Sequence, residues 1–391
     1  MNKTTQNKQS SWRLLDTGLR RAAENIAMNQ AILAAHQQGY VTNTLRFLRF
    51  HPTALLGYHQ SAEQELHVDY CVSHGIDIQR RITGGGAIYF EPSQLGWELY
   101  FNRDFFNVTS MDSISERICE AAAKGISALG VNAKFRPRND IEVDGRKISG
   151  TGGSFDGSSV MFQGTLLIDF DVERMLRILR IPIEKLTDKA IQSARDRVTD
   201  FSQLLSQVPR LDEVKAEMQQ AFSRELNIHF ESATAFAGPE QSLYEQALTE
   251  IDNPEWINLI ESPQQTMPIE NIIHRCRGGT IRVSIMLDTA SLRLKQTWIS
   301  GDFFVTPKRA VMDLEAQLKN VSIDKVKLIV LDFCAKQDVQ FLQMSALDVY
   351  DAIQLAIDAA QGKFSHNNVS KNEALKTKLE HNESSSSVTI Q

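Results

Sequence analysis

The sequence predicts an α+β protein with a larger N-terminal domain and a smaller α+β domain at the C-terminus. Segments in which apolar and polar residues alternate, as they do in strands, occur along the whole chain, and amphipathic helical patterns separate them. The chain has 391 residues, of which 42% are hydrophobic, which is enough for two cores. The boundary between the domains is expected within residues 235–265.

The elements of the N-terminal part follow from these patterns in chain order. Residues 1–11 are polar and are expected to form a disordered tail. A strand is expected from Trp12, then a helix over Ala22–His36 and a strand over Thr44–Phe50. Ser61 is expected to cap a helix that continues to Cys71. Further strands are expected at 54–58, 76–78, 87–90, 95–101 and 162–167, and further helices at 111–129, with Asp112 or Ser113 as N-cap, 172–178 and 211–226.

The C-terminal part is predicted from two alternating runs and one helix start. Residues 280–287 and 292–299 alternate as strands do. Thr306-Pro307 predicts the start of a helix, because a capping residue is followed by a proline suited to the first turn. Residues 362–391 contain few apolar side chains and are predicted to be disordered.

Composition argues against several classes of function. The net charge of −6 does not favour a broad nucleic-acid surface. No apolar run approaches the roughly 20 residues needed to span a bilayer, and the polar N-terminus lacks the apolar region of a signal peptide. The four cysteines are widely spaced and form no CxxC pair. We therefore predict a cytoplasmic protein with reduced thiols, no metal centre, no nucleic-acid partner and no membrane partner.

The stretch Arg80–Tyr89 contains three consecutive glycines between two strand-like runs. Glycine can take a positive φ and lets the backbone approach a ligand without a Cβ in the way. Arg80 and Arg81, just upstream, provide charged planar donors suited to phosphate or carboxylate. The pattern indicates a loop that binds phosphate and carboxylate, with Arg81 facing the ligand oxygens; a glycine-rich hairpin turn is the alternative.

A second stretch, Arg136–Gly153, combines a predicted hairpin with basic residues. Asp144-Gly145 between two alternating segments predicts a tight turn, which places Lys147 near the start of the return strand. A loop of small residues is expected from Ser149 onward. The alternatives are a solvated strand-end lysine at Lys147 and a hydrogen-bonded strand carboxylate at Asp140.

Together with Phe162–Leu167, these stretches resemble the lipoate–protein ligase family of the biotin/lipoate protein ligase superfamily. The family patterns are an RR-x-(S/T)-GGGA loop, an R-N-D strand, G-(R/K)-K-(V/I)-SG-(S/T) and (H/Q)GT-(L/I)-L, and all four occur here in order. The resemblance implies a biotin/lipoate protein ligase-like catalytic domain with mixed and antiparallel sheets and flanking helices over residues 12–250. It also implies an accessory domain over residues 265–361.

The resemblance implies ATP-dependent activation of lipoate or octanoate as an acyl-adenylate, with ATP as its Mg²⁺ complex, followed by transfer to a lysine of a lipoyl-domain protein. Lys147 would be the key catalytic residue, neutralising charge on the transferring phosphorus and carbonyl oxygens. Asp140 would lie near the incoming acceptor lysine. The residues expected to bind ATP or the acyl substrate are Arg81, Thr83, Gly84, Gly85, Gly86, Ala87, Asn139, Ser149, Gly150, Gln163, Gly164 and Thr165.

The chain departs from the family pattern near the expected site of the acyl tail. Phe90-Glu91 replaces a histidine-aspartate pair, Ser93-Gln94 replaces glycine-asparagine, and Gln163 stands where histidine is common. These positions bear on the choice of acyl substrate rather than on the reaction.

Three other functions compete with the ligase. A cofactor-free octanoyl- or lipoyl-transferase works through an acyl-cysteine, but no cysteine lies between Cys119 and Cys276, where both motif strands fall. A biotin ligase is less favoured, since its GRGRxGR loop is missing. A non-catalytic protein that binds lipoyl domains is disfavoured by the intact Arg81, glycine loop and Lys147.

Overall fold

The computed structural model of the protein describes residues 10–107, 111–137, 139–180, 188–233, 236, 238–260 and 268–362. It confirms the α+β fold, with mixed and antiparallel sheets and flanking helices. The chain divides into two compact units, Met1–Ser262 and Pro263–Gln391. Residues 1–9 and 363–391 of the predicted tails lie outside the described residues. No helix in the described part of the chain is long and apolar enough to cross a membrane.

The first unit contains strands and helices in alternating groups. Its strands are β1 (Ser10–Arg20), β2 (Thr44–Phe50), β3 (Thr53–Leu56), β4 (Asp77–Arg80), β5 (Ile88–Phe90), β6 (Gln94–Asn102), β7 (Ala133–Arg136), β8 (Asp140–Val143), β9 (Arg146–Asp156), β10 (Ser159–Leu167) and β11 (Ile228–Ser232). Its helices are α1 (Ala22–Gln37), α2 (Ala62–Glu65), α3 (Val68–Ser73), α4 (Met111–Ala128), α5 (Val172–Ile178), α6 (Asp188–Arg195), α7 (Phe201–Leu204), α8 (Leu211–Leu226), α9 (Pro239–Ile251) and α10 (Pro254–Ile257).

An eight-stranded sheet in the order β11-β1-β2-β6-β10-β9-β8-β7 forms the centre of this unit. Helices α4 and α8 cover one face, and α1 and α9 cover the other. Strand β6 lies in the middle and is buried on both faces: Trp97 and Leu99 pack toward α4 and α8, and Tyr100 packs toward α1. The sheet is mixed, since β1 runs parallel to both β2 and β11 while the remaining neighbours are antiparallel.

A separate three-stranded sheet, in the order β4-β3-β5, holds the glycine loop between β4 and β5. Strand β3 pairs in parallel with β4 and antiparallel with β5. Ala54 and Leu56 of β3 pack against Cys71 of α3 and Ile178 of α5, whereas Leu55 packs in the core under α1 and α9. The small sheet that holds the loop thus lies between these two cores.

Two predictions near the N-terminus are wrong in their boundaries. Ser10 and Ser11 belong to β1 rather than to a tail, because they pair with β11 more than two hundred residues later. The helix expected from Ser61 to Cys71 is broken into α2 and α3. The break follows from tertiary pairing: Leu66 bridges Leu179, and the His67 N–H donates to the Ile178 carbonyl at 2.8 Å.

Two further predictions, the N-cap of α4 and a loop after the Asp144-Gly145 hairpin, are wrong. Asp112 and Ser113 lie inside α4, which begins at Met111, so neither is the N-cap. An acidic residue in the first helical turn is favoured by the helix dipole, and Asp112 occupies that position. The small residues Ser149–Gly153 form part of β9 rather than a loop, because β8 pairs with Ser149 and Gly150 and β10 pairs with the residues from Thr151 onward.

The second unit packs helices on a four-stranded sheet of order β12-β13-β14-β16. Its strands are β12 (Glu270–Cys276), β13 (Gly279–Asp288), β14 (Arg293–Gly301), β15 (Val305–Thr306), β16 (Val321–Ser322) and β17 (Gln340–Phe341), and its helices are α11 (Ala310–Leu318), α12 (Val326–Lys336) and α13 (Ala346–Ala360). The helix predicted at Thr306-Pro307 begins at Ala310 instead. Thr306 is held in β15 by pairing with Gln340, so it cannot cap the helix.

A buried carboxyl group gives this unit an expected pH dependence. The Glu315 carboxylate accepts the Ile299 N–H at 2.6 Å, and burial raises the pKa of Glu315 to about 7. The folded pKa lies above the unfolded value of 4.5, so the folded protein favours the protonated carboxyl. The contribution of this group to the free energy of unfolding is therefore complete below pH 4.5 and is lost as the pH rises through about 7. Glu315→Gln should flatten this dependence, since an amide oxygen still accepts the N–H.

The measurement is the thermal unfolding of the full chain from pH 4.5 to pH 8, for the wild type and for Glu315→Gln. Asp313→Asn, an exposed carboxylate on the same helix, is the matched control and should leave the pH dependence unchanged. Equal pH slopes for the wild type and Glu315→Gln would show that this carboxyl does not titrate in the expected range.

Candidate active site

The glycine loop (Thr83–Ala87) lies directly against a tight turn formed by Gly57–Gln60. A Cβ built on Gly57 would lie 1.8 Å from the Gly85 carbonyl oxygen. The Tyr58 N–H donates to the Thr83 carbonyl at 2.9 Å. The two backbones therefore touch, and only glycine at position 57 permits this approach.

Arg81 organises the glycine loop from the inside. Its guanidinium donates to the Leu55 carbonyl at 2.9 Å, to the Gly84 carbonyl at 3.1 Å and to the Gly86 carbonyl at 2.8 Å. A further contact reaches Thr83 Oγ1 at 3.3 Å. Burial lowers the pKa of Arg81 to about 10, and the neighbouring Arg80 charge adds to this shift. In this structure the guanidinium thus donates to the carbonyls of Leu55 and of the glycine loop.

The hairpin that carries Lys147 forms at the predicted turn. Asp144 and Gly145 take φ angles of 51° and 76°, the left-handed values that a tight two-residue hairpin turn requires. Ile141 pairs with Ser149 but Glu142 pairs with Lys147, so Ile148 is an extra residue in β9. Such a bulge shifts the alternation of side chains, and it places Lys147 on the same face as Gly150.

The Lys147 ammonium is held above Gly150 by a carboxylate. A Cβ on Gly150 would lie 2.7 Å from Lys147 Cε and 2.8 Å from Nζ, so the lysine occupies the space that the glycine leaves free. Lys147 Nζ lies 2.6 Å from Asp140 Oδ1. The lysine side chain is 38% exposed and the aspartate 25%, so the ion pair is partly exposed to solvent and contributes little to stability.

Residues 197–199 hold the backbone of Lys147 through two hydrogen bonds. The Lys147 N–H donates to the Arg197 carbonyl, and the Thr199 N–H donates to the Lys147 carbonyl, both at 2.8 Å. The Ser193–Thr199 stretch resembles a family motif, but nothing in it indicates this pairing. It adds a short bridge, Lys147 with Val198, outside the main sheet.

One face of β10 connects the glycine loop to the lysine. Gln163 Nε2 donates to Thr83 Oγ1 at 3.1 Å, and the Gly150 N–H donates to Thr165 Oγ1 at 3.3 Å. Residues 163 and 165 lie on the same face, about 7 Å apart along the strand. The loop and the Lys147–Asp140 pair are therefore neighbours, although they belong to different sheets.

Other residues of the predicted set support the site from within. Ser149 is fully buried on the opposite face of β9 from Gly150. Gly164 makes room for the Trp97 ring, which would lie 2.2 Å from an added Cβ. Asn139 is bonded to Thr151 through side chain and backbone. Ala87 packs, partly buried, on the core of the small sheet.

Cys119 lies under the site but is closed off from it. Its Sγ is 3.6 Å from Thr151 Oγ1 on the buried side of β9, and the side chain has no exposed surface. Burial raises the pKa of the thiol to about 12. Cys71 is also buried, and burial raises its pKa as well. Neither thiol is set up as a thiolate nucleophile, since that requires a lowered pKa and access.

Glu91 is one of the departures from the family pattern. It links the end of β5 to the start of α5 through hydrogen bonds. Its carboxylate accepts the Tyr89 hydroxyl at 3.0 Å and the Asp171 N–H at 3.3 Å. Arg174 lies 4.0 Å from the same carboxylate and packs over the Tyr89 ring. The position thus orders the chain beside the glycine loop. Among the described residues, no group of three or more His, Cys, Asp or Glu side chains could hold a metal ion.

Comparison with known proteins finds similar sequences over most of the first unit. Residues 21–223 match the family model of the lipoyl protein ligase A/B catalytic domain. Lipoate-protein ligase A subunit 1 of Thermoplasma acidophilum is 28% identical over 242 residues, which cover 59% of this chain and 90% of the relative. Octanoyltransferase LipM of Geobacillus kaustophilus is 24% identical over 270 residues, which cover 63% of this chain and 97% of the relative.

Solved structures with a similar fold include lipoate protein ligases. A bipartite lipoate protein ligase from Thermoplasma acidophilum, described with its E2 lipoyl domain, has a TM-score of 0.58 at 26% identity and covers 66% of this chain and 100% of its own. A lipoate-protein ligase A bound with ATP has a TM-score of 0.56 at 25% identity and covers 64% of this chain and 100% of its own. LipL1 of P. falciparum, in complex with lipoate, shares the fold at 16% identity, with a TM-score of 0.64 over 84% of this chain and 95% of its own.

Proposed function

The chain belongs to the lipoyl protein ligase A/B catalytic-domain family, and from this premise we propose that it is an ATP-dependent lipoate– or octanoate–protein ligase. It forms an acyl-adenylate and then acylates a lysine of a lipoyl-domain protein. The observation that carries the proposal is the Lys147 ammonium above Gly150, next to a glycine loop on the same face of the site.

The first step joins the carboxylate of the acid to the α-phosphorus of ATP. A carboxylate oxygen forms the new P–O bond, and the bond to the pyrophosphate oxygen breaks, so pyrophosphate leaves. Lys147 stabilises the negative charge that grows on the phosphoryl and carbonyl oxygens. The glycine loop contributes backbone N–H groups and clearance for the phosphates. Mg²⁺ is proposed to accompany ATP as its phosphate complex, since Mg²⁺ usually binds through one or two carboxylates together with substrate phosphates.

The second step forms an amide bond. The amine nitrogen of the acceptor lysine attacks the acyl carbon, the C–O bond to AMP breaks, and the amine loses a proton. We propose that Asp140, whose carboxylate lies 2.6 Å from the Lys147 ammonium, orients that ammonium and accepts the proton. Lipoate or octanoate and the lipoyl-domain acceptor are the proposed partners. A relative with an E2 lipoyl domain and another bound with ATP support these assignments.

The cysteines favour ligation over transfer, although an octanoyltransferase is also among the relatives. We expect a variant with all four cysteines changed to alanine or serine to keep ligase activity, because no step passes through a thioester. Intact mass spectrometry of the wild type with octanoyl donors should show no acyl adduct on the enzyme. An adduct on Cys119, or loss of activity in Cys119→Ala with the fold intact, would support the transferase.

The proposal itself is tested by an acylation assay with purified lipoyl domains. Wild-type protein, ATP, Mg²⁺ and either lipoate or octanoate should increase the intact mass of the acceptor by one acyl group and release pyrophosphate. Omitting ATP should abolish the reaction, whereas a transferase would need an acyl carrier donor and no ATP. The four free thiols are compatible with a reducing compartment, and we propose the cytoplasm.

A further inference from the structure

Arg80 is a fully buried arginine whose guanidinium donates five hydrogen bonds to backbone carbonyls. Its guanidinium donates to the carbonyls of Gly57, Tyr58 and Gln60 at 3.1, 2.8 and 2.6 Å. It also donates to the carbonyls of Trp256 and Ile257 at 3.0 and 2.6 Å. Burial lowers the pKa of Arg80 to about 10, and these carbonyls offset part of the cost of keeping the charge in the interior.

The acceptors come from two places far apart in the sequence. One group lies in the turn at residues 57–60, and the other lies in α10. Trp256 of α10 also donates from Nε1 to the Arg80 carbonyl at 3.0 Å. The Trp256 ring also packs against Tyr58, with ring centroids 5.9 Å apart. Next to it, Gln79 Nε2 donates to the Ile251 carbonyl at 3.1 Å. Arg80 is therefore a cross-link between α10 and the turn.

The turn in question is the one that supports the glycine loop. The Gly57 backbone touches the Gly85 carbonyl, and Tyr58 is bonded to Thr83. Arg80 itself is the last residue of β4, so the loop begins three residues after it. Any shift of α10 that releases Arg80 would free both the turn and the start of the loop.

We propose that Arg80 and Trp256 form a latch that holds the glycine loop in its ATP-binding geometry. The latch makes α10 a positioning element of the active site, although α10 lies outside residues 21–223, the part that matches the family model. Neither residue touches the reacting atoms in this arrangement; both act through the turn and the loop. The inference rests on the proposed ATP-dependent function, and its structural part is testable without it.

The test uses two latch variants and one control in the full-length protein. Trp256→Phe keeps an aromatic ring near Tyr58 but removes the Nε1–H donor. Arg80→Lys can still bond carbonyls of the turn but lacks a planar group to reach Trp256 and Ile257 at the same time. Asp252→Asn is the matched control. Asp252 lies just before α10 and forms an exposed ion pair with Arg21, and this ion pair involves neither the loop nor the turn.

The KM for ATP in pyrophosphate release should rise roughly five- to tenfold in Trp256→Phe, the factor that losing about one hydrogen bond produces, with a smaller change in kcat. Arg80→Lys should show a larger rise. Hydrogen exchange of residues 83–87 should become faster in both latch variants and stay at the wild-type rate in Asp252→Asn.

If both latch variants keep the wild-type KM for ATP and the wild-type hydrogen-exchange rate of residues 83–87, the latch proposal is wrong. It is also wrong if Asp252→Asn has an effect equal to that of the latch variants. If the wild-type protein neither binds ATP nor releases pyrophosphate, the proposed function fails. The exchange of residues 83–87 then still decides whether α10 positions the loop.

Discussion

Lys147→Ala is expected to lower the rate of acyl-adenylate formation by about 10²–10³, the usual cost of losing one preorganised charge aimed at a transition state. The ammonium is held over Gly150 by Asp140 and by the bulge at Ile148, so its position is fixed before substrate arrives. The fold should remain intact, because the side chain is more than a third exposed and fills no part of the core.

Lys147→Arg should recover little of this activity. A planar guanidinium cannot occupy the space above Gly150 that a compact ammonium fills, and it would displace the contact with Asp140. Pyrophosphate release with octanoate measures the effect, and circular dichroism checks the fold. Lys215→Ala, which removes an ion pair of the same 2.6 Å length to Asp16, is the control and should retain wild-type rates. Adenylation by Lys147→Ala within a few-fold of wild type would assign the catalytic charge to another residue.

Gly57→Ala is expected to reduce ATP-dependent adenylation by about 100-fold or more, because displacing a reacting group by about 1 Å already has an effect of that size. The new methyl group would lie 1.8 Å from the Gly85 carbonyl oxygen, so the glycine loop and the turn at residue 57 must separate. The acceptor half-reaction, supplied with preformed acyl-adenylate, should be less affected, since it does not need the phosphate site to be filled by ATP.

The loss of ATP binding in Gly57→Ala can be measured by isothermal titration calorimetry. Gly39→Ala is the control: it places a side chain at a left-handed position with φ of +73° but with no atom within 4 Å. Its cost is backbone strain alone, so it should lower the unfolding temperature without changing ATP affinity. Unchanged ATP affinity in Gly57→Ala would mean that the loop does not form the phosphate site.

Much of the first unit could be predicted from local sequence. The strand over Thr44–Phe50 and the helices over Val172–Ile178 and Leu211–Leu226 have the predicted boundaries, because their periodicity is strong and their ends carry ordinary breakers. The hairpin at Asp144-Gly145 is confirmed for the same reason. The break between α2 and α3 was not predictable, since it depends on pairing between Leu66 and Leu179.

The candidate site was predictable in its parts but not in its arrangement. The glycine loop, Lys147 and Asp140 were identified from motifs, and their roles remain proposals. Nothing local indicated that Arg197 and Thr199 flank Lys147, or that Trp256 contacts Arg80. Arg81 was expected to face a ligand, and in this structure its donors are used by the carbonyls of the glycine loop.

The sequence by itself determined the residue types that the chemistry needs: an ammonium after a tight turn, glycines that admit close backbone approach, and the absence of a cysteine within the motif strands. Only the tertiary structure decided where these groups point. An extra residue at Ile148 turns Lys147 onto the face of Gly150, and pairing across β10 brings that face to Thr83. The physical reason is that side-chain direction in a sheet depends on register and bulges, and register is set by partner strands that are distant in sequence.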